Sequence, residues 1–534
     1  MNWVKISILN ILIFSFYELF ILPQCNSKTD IEKKEQKNIL LEIKTDHIHP
    51  PVVSDLYGMA ISNIFDRINV GNSFFIKYDQ QLNLRILRWP SGGESSYYHW
   101  NSKGYGYIKN EIESINKIAV DKFEKQGRFK MQSKLDKRYI DEFIELAKRT
   151  KSNVLIVANI LTASPNELID QLNFLKENGL KIVGVELGCE PYLNQLRKVF
   201  PSAEKYSSIC IPYADSLRKY FPEIPIGACA APYGKIYDDN DSNGLDNFFS
   251  NWNSVLKTKK WYDAIIVHYY LPFSCQNTQS SPQEIFNCAM EEMNENIDKY
   301  MSNSAAYYLK TFGADRKIWI TEWNIAQGGT KGTYGNTLFQ AMFIVEYFLK
   351  LNELNYEHNN LINIATYHNM DGGYIAAAAI TNDHPDETYR DPVGDTLIRR
   401  SGFFAHLLIK EIYNQNQQKA EIIVKENNNI ETDRNIHFEA YYTKATNETF
   451  IYFINKSGNS LNISNTLLNG KSIKNSSIRI SYLSGDKTYA SFGKTNFFKQ
   501  YKIALPCFWQ EEKTADAQLI LPGYSVGYLK LNVN

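Results

Sequence analysis

The sequence predicts an α/β protein, a (β/α)8 TIM barrel with a C-terminal β-sandwich domain, and three observations lead there. Over residues 51–415, short apolar runs alternate with patterns of helical period. Over residues 416–534 the period shifts to two, with Asn, Gly, Ser and Asp clusters between the runs. A chain of 534 residues is also too long for one ordinary core, which favours two domains, one of them a large barrel.

The first barrel strand is read at Asp55–Ala60. The second, Leu82–Arg88, runs into Trp89-Pro90-Ser91-Gly92-Gly93, where the proline and glycines stop it. Helical spacing follows over Tyr139–Ala147. The third strand, Val154–Asn159, is almost continuously apolar, as a strand covered on both faces must be. Ser164-Pro165-Asn166-Glu167 then has the form of a capping box. Ser164 can accept the N3 amide, Pro165 lacks the N–H that would be orphaned at N1, and Glu167 can reach back. Leu168, Leu172 and Leu175 give that helix its apolar side, and Gly179 suits its C-terminal cap.

Strand four, Lys181–Leu187, ends at Gly188-Cys189-Glu190-Pro191. Helical Tyr213–Tyr220 leads through Pro222 and Pro225 to strand five, Ile226–Ala230. Strand six, Asp263–His268, ends in Tyr269-Tyr270, and strand seven is Arg316–Glu322. A long apolar helix over Leu338–Leu351 precedes strand eight, Leu361–His368, whose own helix is read over Thr396–Tyr413. Eight such units fit a closed barrel with insertions. Past Gln415–Asn429, short alternating runs at Ile436–Tyr442, Glu448–Ile454, Ser477–Tyr482 and Ser525–Leu531 read as a sandwich packed on the barrel. Segment 26–50, with a strand near Lys44–His49, is a further candidate for the same sandwich.

With 58 basic and 58 acidic side chains, the chain has no general attraction for nucleic acid or acidic membranes. Residues 1–25 read as a signal peptide: Lys5, an apolar run from Ile6 to Leu22 interrupted by Glu18 among others, then polar sequence. The expected location is secreted, periplasmic or cell-surface. A membrane anchor, or lipidation at Cys25, is the other reading of this segment and would give membrane or cell-surface association. Of the seven cysteines, Cys275 and Cys288 form the expected local disulfide. No CxxC spacing or Cys/His cluster points to a metal, and no organic cofactor is expected.

Two glutamates lie directly beyond predicted barrel strands, on the face where such barrels carry their chemistry. Glu190 follows the fourth strand and Glu322 ends the seventh, so their carboxylates can meet across the mouth. That is what cleavage of a glycosidic bond needs: one carboxyl protonates the leaving oxygen while the other stays ionised.

Thr321-Glu322-Trp323-Asn324, Leu87-Arg88-Trp89-Pro90-Ser91-Gly92-Gly93, His268-Tyr269-Tyr270 and the closing Leu521–Leu529 run occur in a particular order. In that order they resemble the clan of retaining glycoside hydrolases that includes heparanase-like, β-xylosidase-like and arabinofuranosidase-like members. The first motif is the most specific of them. The resemblance covers most of the chain in scattered pieces and implies retaining hydrolysis of a carbohydrate substrate, without a metal or organic cofactor. It implies Glu322 as nucleophile, Glu190 as acid/base and Arg88 as the cation that keeps Glu322 ionised. His268 and Tyr270 are candidates for orienting Glu322 or a hydroxyl, although only one of Tyr269 and Tyr270 can easily face the cleft. Trp89 and Trp323 are candidate sugar platforms, with packing under a loop as the alternative, and His368 is a candidate for lining the cleft. Tyr97-Tyr98-His99-Trp100 is a candidate further subsite.

One departure stands out. The clan has asparagine directly before the acid/base, where this chain has Cys189, a weak donor and acceptor. Either the substrate differs at carbon 2, the motif is shifted in register, or catalysis has been lost. The last would make the chain a carbohydrate-binding or surface protein on a glycosidase scaffold. Cys189 itself is expected to be a small buried apolar group rather than a nucleophile, since no histidine is paired with it in sequence.

Overall fold

The computed structural model describes residues 37–531 except 67–68, 103–105, 126–128, 130–137, 234–244, 272, 274, 276–279, 326–333, 372–378, 383–396, 427–428, 431–433, 489–506 and 515–517. The expected signal segment and Cys25 lie outside the described residues. No described helix is long and apolar enough to cross a membrane.

The first strand, β1 (Lys37–Pro51), belongs to the C-terminal sheet. The next eight close into a parallel barrel: β2 (Gly58–Ala60), β3 (Ile86–Trp89), β4 (Asn153–Ala158), β5 (Ile182–Leu187), β6 (Ile226–Cys229), β7 (Ala264–Leu271), β8 (Lys317–Ile325) and β9 (Ile362–Tyr367). β9 returns to pair with β2. This is the fold class the sequence predicted. The barrel floor is filled by the Trp319 indole, for which Gly184 on β5 and Gly227 on β6 leave room. A Cβ at either glycine would stand 2.5 or 2.7 Å from the ring.

The helix Pro165–Glu177 begins with half of the expected capping box: the Ser164 side chain accepts the amide of Glu167, while the Glu167 carboxylate is engaged with His99. The helix Leu338–Glu357 is buried on nearly every side because it is covered twice. Phe343, Tyr347 and Phe348 pack on Trp323 of the barrel. On the other side, Asn352 donates to the Tyr441 hydroxyl and Glu346 bonds His437, both residues of the C-terminal sheet. Strand eight's helix is shorter than expected, Ser401–Asn414. Leu397–Arg399 instead forms a short antiparallel ladder with Ile380–Asn382.

The β-sandwich-like C-terminal domain is built on an 11-stranded sheet. β1 lies inside it, antiparallel to Gln418–Glu426 and parallel to Leu461–Leu468. The period of two is visible in strand Glu448–Asn455. Phe450, Tyr452 and Ile454 face the barrel core, whereas Ile451 and Phe453 join Leu41, Ile463 and Leu529 in a second core.

Candidate active site

Side chains on a barrel strand alternate between the interior and the helix layer. At the tips of β3, β5, β7 and β8 this alternation gathers Arg88, Glu186, His268, Tyr270 and Glu322 at one end of the barrel. His268 lies opposite Glu322 in the register of β7 with β8. The turn Gly188-Cys189-Glu190 continues β5 over the same opening. Gly188 has φ +85°, and a Cβ there would meet Ile160 Cδ1 at 2.7 Å, so glycine is required. Glu190 itself takes φ 47°.

Arg88 is the hub. Its Nε and Nη2 donate to Glu186 at 2.8 and 3.0 Å, and its Nη1 donates to Glu322 Oε1 at 2.9 Å. The Tyr270 hydroxyl donates to Glu322 Oε2 at 2.5 Å. His268 Nδ1 lies 2.9 Å from Glu190 Oε1 and 3.6 Å from Glu322 Oε2. Because both carboxylates touch one nitrogen, these two oxygens are no farther apart than the two distances together. His368 Nε2 is 3.9 Å from Glu322 Oε2. Cys189 Sγ lies 3.7 Å from Glu322 Oε1 and 4.0 Å from Arg88 Nη2. Arg88 and Glu186 are fully buried, while the side chains of Glu190 and His368 keep 16% and 22% of their surface exposed, which marks the open side of the site.

Burial alone would raise the Glu322 carboxyl, but His268, His368, Arg88 and the Tyr270 hydrogen bond outweigh it and hold Glu322 well below the usual carboxylate range. Burial likewise opposes the charge on His268, yet the carboxylates of Glu322 and Glu190 raise it above the ordinary imidazole value. At His368 burial prevails and the imidazole is lowered. Burial pushes the Cys189 thiol well up, and Glu322 and Glu190 push it further, so it is a neutral thiol and not an attacking thiolate.

Of the residues singled out in sequence, Arg88, Cys189, Glu190, His268, Tyr270, Glu322 and His368 come together. Tyr270 is the inward member of its pair, and Tyr269 packs outward against Tyr300 at 5.7 Å. Trp89 and Trp323 are not sugar platforms. Each follows an inward residue and so points into the helix layer. Trp89 stacks on Phe143 at 5.0 Å and donates to Asn63, whereas Trp323 stacks on Tyr347 at 4.1 Å. The proposed subsite at Tyr97–Trp100 is also packing. Tyr97 and Tyr98 are buried, Trp100 stacks on Phe174, and His99 is held by Glu111 and Glu167. Cys275 and Cys288 form a disulfide between the segment after β7 and the helix Pro282–Glu295.

Sequence reasoning missed Glu186. The available signal was an acid inside the otherwise apolar strand Ile182–Leu187, since a buried charge requires a partner.

No family model and no curated protein matches the chain. Solved structures do. A family 51 α-L-arabinofuranosidase from Bifidobacterium longum is 12% identical with TM-score 0.60, covering 94% of this chain and 100% of its own. The family 51 arabinofuranosidase of Xanthomonas axonopodis pv. citri is 15% identical with TM-score 0.58, covering 93% and 100%. A Paenibacillus polymyxa xyloglucanase of glycoside hydrolase family 44 is 10% identical with TM-score 0.54, again covering 93% and 100%. The likeness at these identities is one of fold: a (β/α)8 barrel joined to a β-sandwich-like domain. Two of the three are arabinofuranosidases, one of the groups that the motifs resemble.

Proposed function

We propose that the protein hydrolyses O-glycosidic bonds of a polysaccharide, oligosaccharide or glycoconjugate with retention of configuration, outside the cytoplasm. One observation carries the reading: Glu190 and Glu322 both contact His268 Nδ1, at 2.9 and 3.6 Å. The bound this sets on their separation only reaches the lower edge of the inverting range, roughly 6.5–9.5 Å, and it contains the retaining value of roughly 5–5.5 Å. Glu322, kept ionised, attacks the anomeric carbon. Glu190, on the more open side, protonates the departing oxygen and later takes a proton from water. Arg88 and Tyr270 fix the attacking carboxylate, and His268 fixes both acids relative to one another.

The test is trapping with a mechanism-based fluoroglycoside panel followed by peptide mapping. The expected result is a glycosyl group on the peptide containing Glu322, with hydrolysis lost in Glu322→Ala and Glu190→Ala. Unchanged turnover in both variants would remove the proposal. Cys189 favours a second reading, a binding protein on the same scaffold, because its neutral thiol is a weak hydrogen-bonding group. Saturable sugar binding without hydrolysis across the panel would select it.

A further inference from the structure

The turn that carries Glu190 brings a thiol to the same place. Cys189 and Glu190 are neighbours in the chain, and His268 lies 78 positions beyond Glu190. One donor atom from each of the three lies within 4.8 Å of the other two. The donors differ in kind: a sulfur, a carboxylate oxygen and an imidazole nitrogen. Glu322 lies beside the set, with Oε1 3.7 Å from Cys189 Sγ and its other oxygen, Oε2, 3.6 Å from His268 Nδ1. Ligands held ~2.0–2.3 Å from a tetrahedral ion stand roughly 3.3–3.8 Å apart, so Glu190 Oε1 and His268 Nδ1, hydrogen-bonded at 2.9 Å, would separate slightly to admit one.

His268 supplies a second observation. It is 3% exposed, yet its Nε2 has no hydrogen-bond partner among the described residues. Glu190 holds Nδ1, so Nε2 is the nitrogen left uncommitted. Arg88 stands beside the cluster, but Glu186 holds two of its donor nitrogens and offsets its charge. A sulfur with imidazole selects thiophilic ions such as Zn2+ and Cd2+ over Mg2+ and Ca2+, which take oxygen shells.

We propose that Cys189, Glu190 and His268, with water completing the shell, form a binding site for a thiophilic divalent cation of the Zn2+ class, and that its occupation stops hydrolysis. On binding, the thiol gives up its proton to solvent as the metal–sulfur bond forms. The ion then occupies the carboxylate of Glu190, which can no longer protonate a leaving group. The inhibitory half rests on the hydrolase reading above, whereas the binding half does not.

The test uses the full chain in metal-free buffer. Calorimetric titration with ZnCl2 is expected to give saturable binding of one ion per chain with proton release. Titration with CdCl2 is expected to give the ultraviolet thiolate-to-metal band. Cys189→Ser should abolish the band, and Glu190→Gln, which keeps the thiol, should weaken Zn2+ binding by about a hundredfold or more. Cys210→Ser, at a buried cysteine on the helix Ala203–Tyr220, should bind as the parent does. Absence of binding, a band that persists in Cys189→Ser, or full affinity in Glu190→Gln would overturn the site. Hydrolysis that continues at saturating Zn2+ would overturn the switch. Zn2+ binding in a chain that hydrolyses nothing even without metal would uphold the site and count against the hydrolase reading alone.

Discussion

Glu186 grips Arg88 through two parallel hydrogen bonds, of 2.8 and 3.0 Å, and so fixes the edge that the guanidinium turns toward Glu322. Both residues are fully buried. Removing the acid with Glu186→Ala leaves Arg88 with Glu322 as its carboxylate partner but orphans two buried donors, at roughly 1–3 kcal/mol each. Glu186→Gln keeps the shape and should lower kcat more than it raises KM, since it disturbs the nucleophile rather than the sugar contacts. Urea unfolding and steady-state kinetics check the two expectations.

Tyr270→Phe deletes one hydrogen bond to a charged carboxylate, worth roughly 1.5–3 kcal/mol. The value of kcat/KM should therefore fall about ten- to hundredfold. The lost bond favoured the ionised form of Glu322, so any acidic limb that Glu322 sets in the pH profile should move upward. A profile that stays in place would show that Tyr270 does not tune this acid.

The contact between the two domains should make stability depend on pH at both ends. His437 bonds Glu346 at 2.8 Å, and Lys456 lies 3.3 Å from the same carboxylate. Burial opposes each charge, but mutual attraction prevails, raising His437 from 6.5 to about 10 and lowering Glu346 from 4.5 to about 2. The His437 contribution is complete below about 6.5 and is lost as pH climbs toward 10; the Glu346 contribution is complete above about 4.5 and is lost as pH falls toward 2. This pair therefore favours stability most between those inner values. The His437 side chain is 30% exposed, so solvent screening reduces the size of the effect without changing its sign. His437→Gln should flatten the alkaline decline in Tm relative to the parent.

Trp323→Ala should behave as a core deletion. Loss of a fully buried indole costs about 3–5 kcal/mol, and the melting temperature should drop. The milder Trp323→Phe should fold and leave KM near the parent value, because the ring touches Tyr347 and Phe348 rather than the cleft. A raised KM in the phenylalanine variant would restore the platform role.

Much of this was legible along the chain because it is local. The barrel strands are apolar runs bounded by breakers, and Arg88, His268 and Glu322 lie in the C-terminal halves of strands, with Glu190 just beyond one. The alternation rule could also have placed Trp89 and Trp323 outward once Arg88 and Glu322 were taken as inward. What stayed hidden were relations between distant segments. Nothing near Glu186 announces that its partner lies 98 residues earlier. The approach of Cys189 to Glu322 requires the closed barrel.

β1 pairs with a strand on the far side of the barrel sequence, and its Lys37 reaches Glu426 across 389 positions. During synthesis this ribbon must wait, unpaired along both edges, until the last portion of the polypeptide emerges. A fragment starting at residue 416 would lack a central slat of its sheet, leaving Gln418–Glu426 and Leu461–Leu468 with bare edges open to pairing with other molecules. The accessory domain thus fastens residues 37–51 to strands that lie beyond the whole barrel in sequence.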